Sequence, residues 1–136
     1  MILRLAAATL MLLSLSCTAA EPVPSLAGAW QLQSGEYLDA QGSMVDYASQ
    51  TLAATKVLGD GHFAFTTISD GKFWAGGAGA YVADADSYTE TPAMASYPLE
   101  GAGQYRFRYT LEGDIWTLER WDGERRVERE VWRRAR

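Results

Sequence analysis

Cysteine is almost absent from this chain: Cys17 is the only one in 136 residues. No disulfide within the chain can staple the fold, so a domain this small must bury enough apolar surface unaided. Histidine is as scarce. His62 stands alone, and with no second His or Cys to complete a ligand set, no metal site and no cofactor is expected. Gly-x-Ser-x-Gly is missing, as is any Ser, His, acid order of known form, so no catalytic residue is assigned. The glycines at 76, 77 and 79 lack the following Lys-Ser/Thr and helix that a phosphate-cradling loop needs. Sustained helical periodicity, internal repeats, low-complexity tracts and interdomain linkers are also wanting.

The one long hydrophobic run is at the start. Met1–Ser16 reads MILRLAAATLMLLSLS, with Arg4 ahead of an unbroken apolar and small-residue stretch. That is the n-region and h-region of a secretory signal, and it is short of the roughly 20 residues that span a bilayer. Two ends of the leader are open. Thr18-Ala19-Ala20 before Glu21 fits ordinary cleavage, giving a leader over 1–20 and a mature domain over 21–136. Alternatively Leu15-Ser16-Cys17 resembles a bacterial lipoprotein signal, in which Cys17 carries the lipid and makes the only membrane contact. Either way the mature protein is expected outside the cytoplasm, in the periplasm or the extracellular space.

Loss of the leader removes only Arg4 from the 12 basic residues, leaving 11 against 17 acids and a net charge near −6. This speaks against a general nucleic-acid surface. The charge is uneven: nine of the ten arginines fall after Tyr105, whereas the stretch from Glu21 to Tyr105 holds ten acids and only Lys56 and Lys72. Late basic strands pairing with acidic early ones account for this, the alternative being a dedicated anion-binding face.

Turn signals punctuate the chain at Gly59-Asp60-Gly61, Ser69-Asp70-Gly71, Asp84-Ala85-Asp86, Glu112-Gly113-Asp114 and Asp122-Gly123-Glu124. The β-forming runs between them predict eight strands: Trp30–Tyr37, Thr51–Leu58, His62–Ile68, Lys72–Val82, Asp86–Thr91, Gln104–Leu111, Ile115–Arg120 and Arg125–Arg133. Tyr105, Phe107, Tyr109 and Leu111 alternate with polar residues, so that strand has one buried face. Asp39–Asp46 and Pro92–Gly103 are read as irregular. The fold class is all-β: a single eight-stranded antiparallel up-and-down barrel, whose closure removes exposed edges. A two-sheet sandwich is the alternative.

Gly28-Ala29-Trp30 resembles the Gly-x-Trp of the lipocalin superfamily, where the indole closes one end of the barrel and an arginine from the last strand packs over it. That resemblance implies Arg129 or Arg133 in the packing role, a cation–π contact worth ~1 kcal/mol. Further on come Gly61-His62-Phe63, Gly71-Lys72-Phe73-Trp74-Ala75-Gly76-Gly77, Gly79-Ala80-Tyr81, Ser87-Tyr88-Thr89-Glu90-Thr91 and Glu130-Val131-Trp132. As an ordered set they are similar to the bacterial lipocalin-like domain family of small exported proteins. The resemblance covers Leu26–Arg136 and implies a lipocalin-like barrel with a small apolar ligand as its partner.

Strand parity selects the lining. Phe65 shares a face with Phe63, and Glu90 shares one with Tyr88. A buried carboxylate needs a partner, and Arg120, in phase with Trp116 and Leu118, or a tyrosine hydroxyl would serve. The expected ligand-binding residues are Phe65, Trp74, Tyr81, Tyr88 and Glu90, with His62 at the mouth. Gly76, Gly77 and Gly79 mark either a bend that closes the barrel or room for the ligand. An eight-stranded barrel is just wide enough to be filled by its own side chains. A solid interior would favour an interaction module, an envelope adaptor or an inhibitor. An enzyme acting on an enclosed substrate through His62 or Glu90 is the third reading.

Overall fold

The computed structural model describes residue 23, residues 25–99 and residues 101–136. The leader, Cys17 and the Ala20/Glu21 boundary lie outside the described residues. Strands run over β1 (Gly28–Leu38), β2 (Met44–Asp46), β3 (Leu52–Gly59), β4 (His62–Ser69), β5 (Lys72–Ala83), β6 (Ser87–Ala95), β7 (Tyr105–Glu112), β8 (Ile115–Asp122) and β9 (Arg125–Arg134). A one-turn 3-10 helix, Tyr47–Gln50, stands between β2 and β3.

Every neighbouring pair is antiparallel, and β9 returns to pair with β1 from Trp30↔Arg134 to Tyr37↔Glu128. Eight strands thus close into an up-and-down barrel, and the sandwich alternative falls. The ninth, β2, is a short flap on β1 that occupies part of the segment expected to be a loop. Tight turns have the residues their geometry demands. Asp60-Gly61 and Asp70-Gly71 both carry positive φ at two successive positions, as a type I′ hairpin requires.

Pro92–Gly103 is not wholly irregular, because β6 continues through Pro92 to Ala95. The β6–β7 ladder ends at Glu90↔Tyr105, so the proline lies where its missing N–H breaks no rung of that ladder. Past that point Ser96 exchanges hydrogen bonds with Gly76 of β5, and the Tyr97 ring lies 6.3 Å from that of Phe65. Gly79 lies at a bulge where an added Cβ would strike the β6 backbone at Thr91 and Pro92. Phe65 and Tyr97 crowd the site of a Cβ on Gly77, and Phe73 does the same at Gly76. These glycines serve close packing and bending of the wall, not an open space for a ligand.

Inward residues stack in tiers. At one end Leu26, Trp30, Leu58, Phe63, Tyr88, Tyr109 and Trp116 make a solid plug, continued upward by Phe107, Leu118 and Trp132. Trp30 is wholly buried, donates from Nε1 to the Leu26 carbonyl at 2.9 Å and lies 5.2 Å from the Trp116 ring. The arginine over its face is Arg134, at 4.2 Å, and not Arg129 or Arg133. Parity explains the correction. Trp132 and Arg134 point inward, so Arg133 faces out opposite Gln31, and Arg129 faces out beside Glu119. On that outer wall Arg126 bridges Glu36 of β1 and Glu119 of β8. Among the ion pairs of the described residues this is the one that joins a late arginine to an early acid, the other arginines pairing with Glu119, Glu128 or Asp114 near their own strands.

Candidate ligand-binding cavity

Above the plug the barrel is hollow. A cavity of about 720 Å³ opens at the end bounded by the β1–β2 turn, the β4–β5 turn and the segment before β7. Its wall combines Leu32, Ala54, Phe65, Phe107 and Trp132 with a charged floor. Space exists here because the inward positions at this height hold the small side chains of Ala54, Thr67 and Ala75.

On the floor Lys56 of β3 meets Glu90 of β6, Nζ donating to Oε1 at 2.7 Å, and both residues are about 95 % buried. Tyr88 donates its hydroxyl to the same oxygen at 2.8 Å. Rings of Trp132, Trp116, Tyr88 and Phe65 surround the ammonium at 5.2 to 5.8 Å, so its charge is held by one carboxylate and four π faces. Burial pulls the Lys56 pKa down, but the carboxylates of Glu90 and Glu130 outweigh it and the net shift is upward.

A second group hangs from β9. Glu128 accepts from Arg120 Nε at 2.8 Å. Glu130 accepts from Trp132 Nε1 at 2.8 Å and from the Tyr47 hydroxyl at 3.1 Å. Burial pushes the Glu130 carboxyl up to about 7, against the pull of Lys56 and with a further push from Glu128. Tyr47 reaches this floor because Gly35, opposite Glu130 on β1, has no side chain where its ring lies. Burial first, then the two glutamates, hold the Tyr47 phenol far above its ordinary value, so it stays a donor. Tyr97 is pushed up to about 12, mainly by burial.

Three of the six expected site residues line this cavity: Phe65, Glu90 and, at the rim and half exposed, Trp74. Tyr88 lies beneath the floor and holds Glu90, while Tyr81 packs on Tyr88 at 5.5 Å within the plug. His62 is not at the mouth. It sits on the outer face of β4 at the closed end, with Nδ1 2.8 Å from the Asp60 carbonyl, because Phe63 and Phe65 take the inward phase. Glu90 does find a tyrosine hydroxyl, but its cation is Lys56, and Arg120 goes to Glu128 instead. Lys56, Glu128, Glu130 and Tyr47 were missed. Parity points to three of them, since Lys56 shares a face with Leu58, and Glu128 and Glu130 share one with Trp132.

The chain matches no protein-family model and no curated protein. Among solved structures it resembles an uncharacterized protein from Bacteroides eggerthii. The TM-score is 0.52 at 18 % identity, over 82 % of this chain and 100 % of that one. At that identity the likeness speaks to the fold alone. Among the described residues no group of acids, His and Cys is arranged to hold a metal ion, and no helix is long and apolar enough to cross a membrane.

Proposed function

We propose that this chain is an exported binding protein that holds a small, largely apolar molecule, polar head down, in a lipocalin-like barrel. The observation that carries the reading is the cavity. Its volume of about 720 Å³ lies inside the range of roughly 300–1,000 Å³ common to small-molecule sites. Apolar and aromatic side chains share its lining with fixed polar groups, Lys56, Glu90, Glu128 and Glu130 among them, which can orient a bound molecule. The body of the ligand rests on Leu32, Phe65 and Phe107, and its head meets the tier of Lys56, Glu90, Glu128 and Glu130. Export rests on the Met1–Ser16 leader, with the lipid-bearing Cys17 as the variant form.

Titration with a neutral, environment-sensitive fluorophore such as N-phenylnaphthylamine tests the reading. Saturable one-to-one binding is expected in the parent and loss of it in Ala54→Trp, which fills the cavity. Failure of the parent to bind, or equal binding by the filled variant, would overturn it. Native mass spectrometry of protein from its own envelope would then name the ligand.

A further inference from the structure

We infer that the polar head of the ligand is a monocation, an amine or comparable organic cation, seated against Glu130. The inference rests on the binding reading above and specifies its ligand class. Charge balance on the cavity floor carries it. The groups facing Glu130 come from every side: Lys56 from β3, Glu90 from β6, Arg120 from β8, Glu128 and Trp132 from β9, and Tyr47 from the 3-10 helix. Both cations are already engaged, Lys56 with Glu90 at 2.7 Å and Arg120 with Glu128 at 2.8 Å. Glu130 receives only neutral donors, the Tyr47 hydroxyl and the Trp132 indole. Among the described residues three carboxylates, Glu90, Glu128 and Glu130, thus share the floor with two cations, and the fourth acid of the lining, Asp39 on the mouth side, is occupied in capping its own turn through the Gln41 and Ser43 amides.

The three head-group classes fare differently there. An anionic head would stand beside three carboxylates and would have to prise Lys56 from Glu90. A neutral head leaves the excess carboxyl as it is. A cation completes the floor two for two and then one for one, and it meets Glu130 with a charge-assisted hydrogen bond. Since Glu130 holds its proton up to about pH 7, an arriving ammonium must expel it. Binding of the cation is therefore linked to proton release and weakens as pH falls.

Three probes of one chain length, octylamine, octanol and octanoate, titrated into the full chain with tryptophan fluorescence as readout, test the inference. Octylamine is expected to bind at least about tenfold tighter than either of the others near neutral pH. Its affinity should fall by about twentyfold from roughly pH 7.5 to 5.5, as Glu130 takes up its proton. Glu130→Gln should erase the amine preference, so that octylamine and octanol bind alike. Equal affinities, a preference for octanoate, or an amine affinity flat across that pH range would overturn the cationic head while leaving the binding reading standing. The pH series on the unaltered protein decides the matter even if Glu130→Gln does not fold. Absence of binding by all three probes would remove the binding reading, and this inference with it.

Discussion

The closed and open halves of this barrel are built from the same strands under the same alternation, yet one is solid and the other hollow. In the closed half the inward positions hold Trp30, Leu58, Phe63, Tyr88, Tyr109 and Trp116, and their rings meet across the axis. In the open half those tiers pass to Ala54, Thr67 and Ala75. Eight strands enclose just enough room for large side chains to fill, so small ones leave a void. The Lys56–Glu90 pair marks the boundary. Its ammonium is covered by the rings below, while the carboxylates of β9 face the space above. Side-chain size, not strand count, separates a plug from a pocket here.

The sharpest way to break the comparison is to hollow the solid half. Trp30→Ala should destabilise the protein by about 3–5 kcal/mol, since truncating a wholly buried aromatic removes its packing and leaves a cavity. A variant that unfolds at the same denaturant concentration as the parent would contradict the plug.

At the boundary, Glu90→Gln keeps the shape but leaves Lys56 without its nearest countercharge. A loss of about 3 kcal/mol is expected in denaturant titrations. Replacing both partners, Lys56→Met with Glu90→Leu, should recover most of it, because the desolvation of both charges disappears together. Failure of the double variant to recover would mean that Glu90 acts through Tyr88 and not through the ion pair.

In the hollow half, the test is pH. The carboxyl of Glu130 has its pKa raised on folding, from an ordinary 4.5 to about 7. Its protonated form is thus favoured by the folded state, and the stability it contributes is complete below about pH 4.5 and lost as pH rises through 7. Relative to Glu130→Gln, the parent should lose about 3 kcal/mol across that window and change little above it. Parallel stability profiles for the two proteins would place the titration elsewhere.

The smallest effect distinguishes the inside from the outside of one strand. Arg134→Ala removes the cation over Trp30 and bonds to the Ala27 and Ser25 carbonyls, and should cost about 1 kcal/mol. Arg133→Ala, on the outer face next door, should stay within about 0.5 kcal/mol. Thermal melts of the pair read the difference directly.

Much of the wall was legible in the chain itself. The Gly and Asp turn signals located the hairpins, and Tyr105 to Leu111 showed its buried face by alternation alone. Glu90 was placed inside with Tyr88 by the same rule. Three features escaped. The bulge between Leu32 and Ser34 shifts the phase of β1, so that Gly35 and Tyr37, rather than Ser34 and Glu36, face the interior. The end of the barrel at which His62 sits is not legible either, because nothing in a linear strand says which end will close. Tyr47 was hidden because a one-turn helix beside a two-residue-periodic strand leaves no hydrophobic pattern to read.

What the sequence determined by itself is local: which residues turn, which alternate, and so which side of each strand is buried. Those follow from backbone geometry with a period of two and from the φ preferences of Gly and Asp. Only the tertiary structure decided the partners. Lys56 and Glu90 lie 34 positions apart on strands separated by two others, and they meet because closure turns every inward face toward a common axis. Whether that axis is filled depends on the summed volume of side chains from all eight strands at one height, a quantity to which each strand contributes only a residue or two.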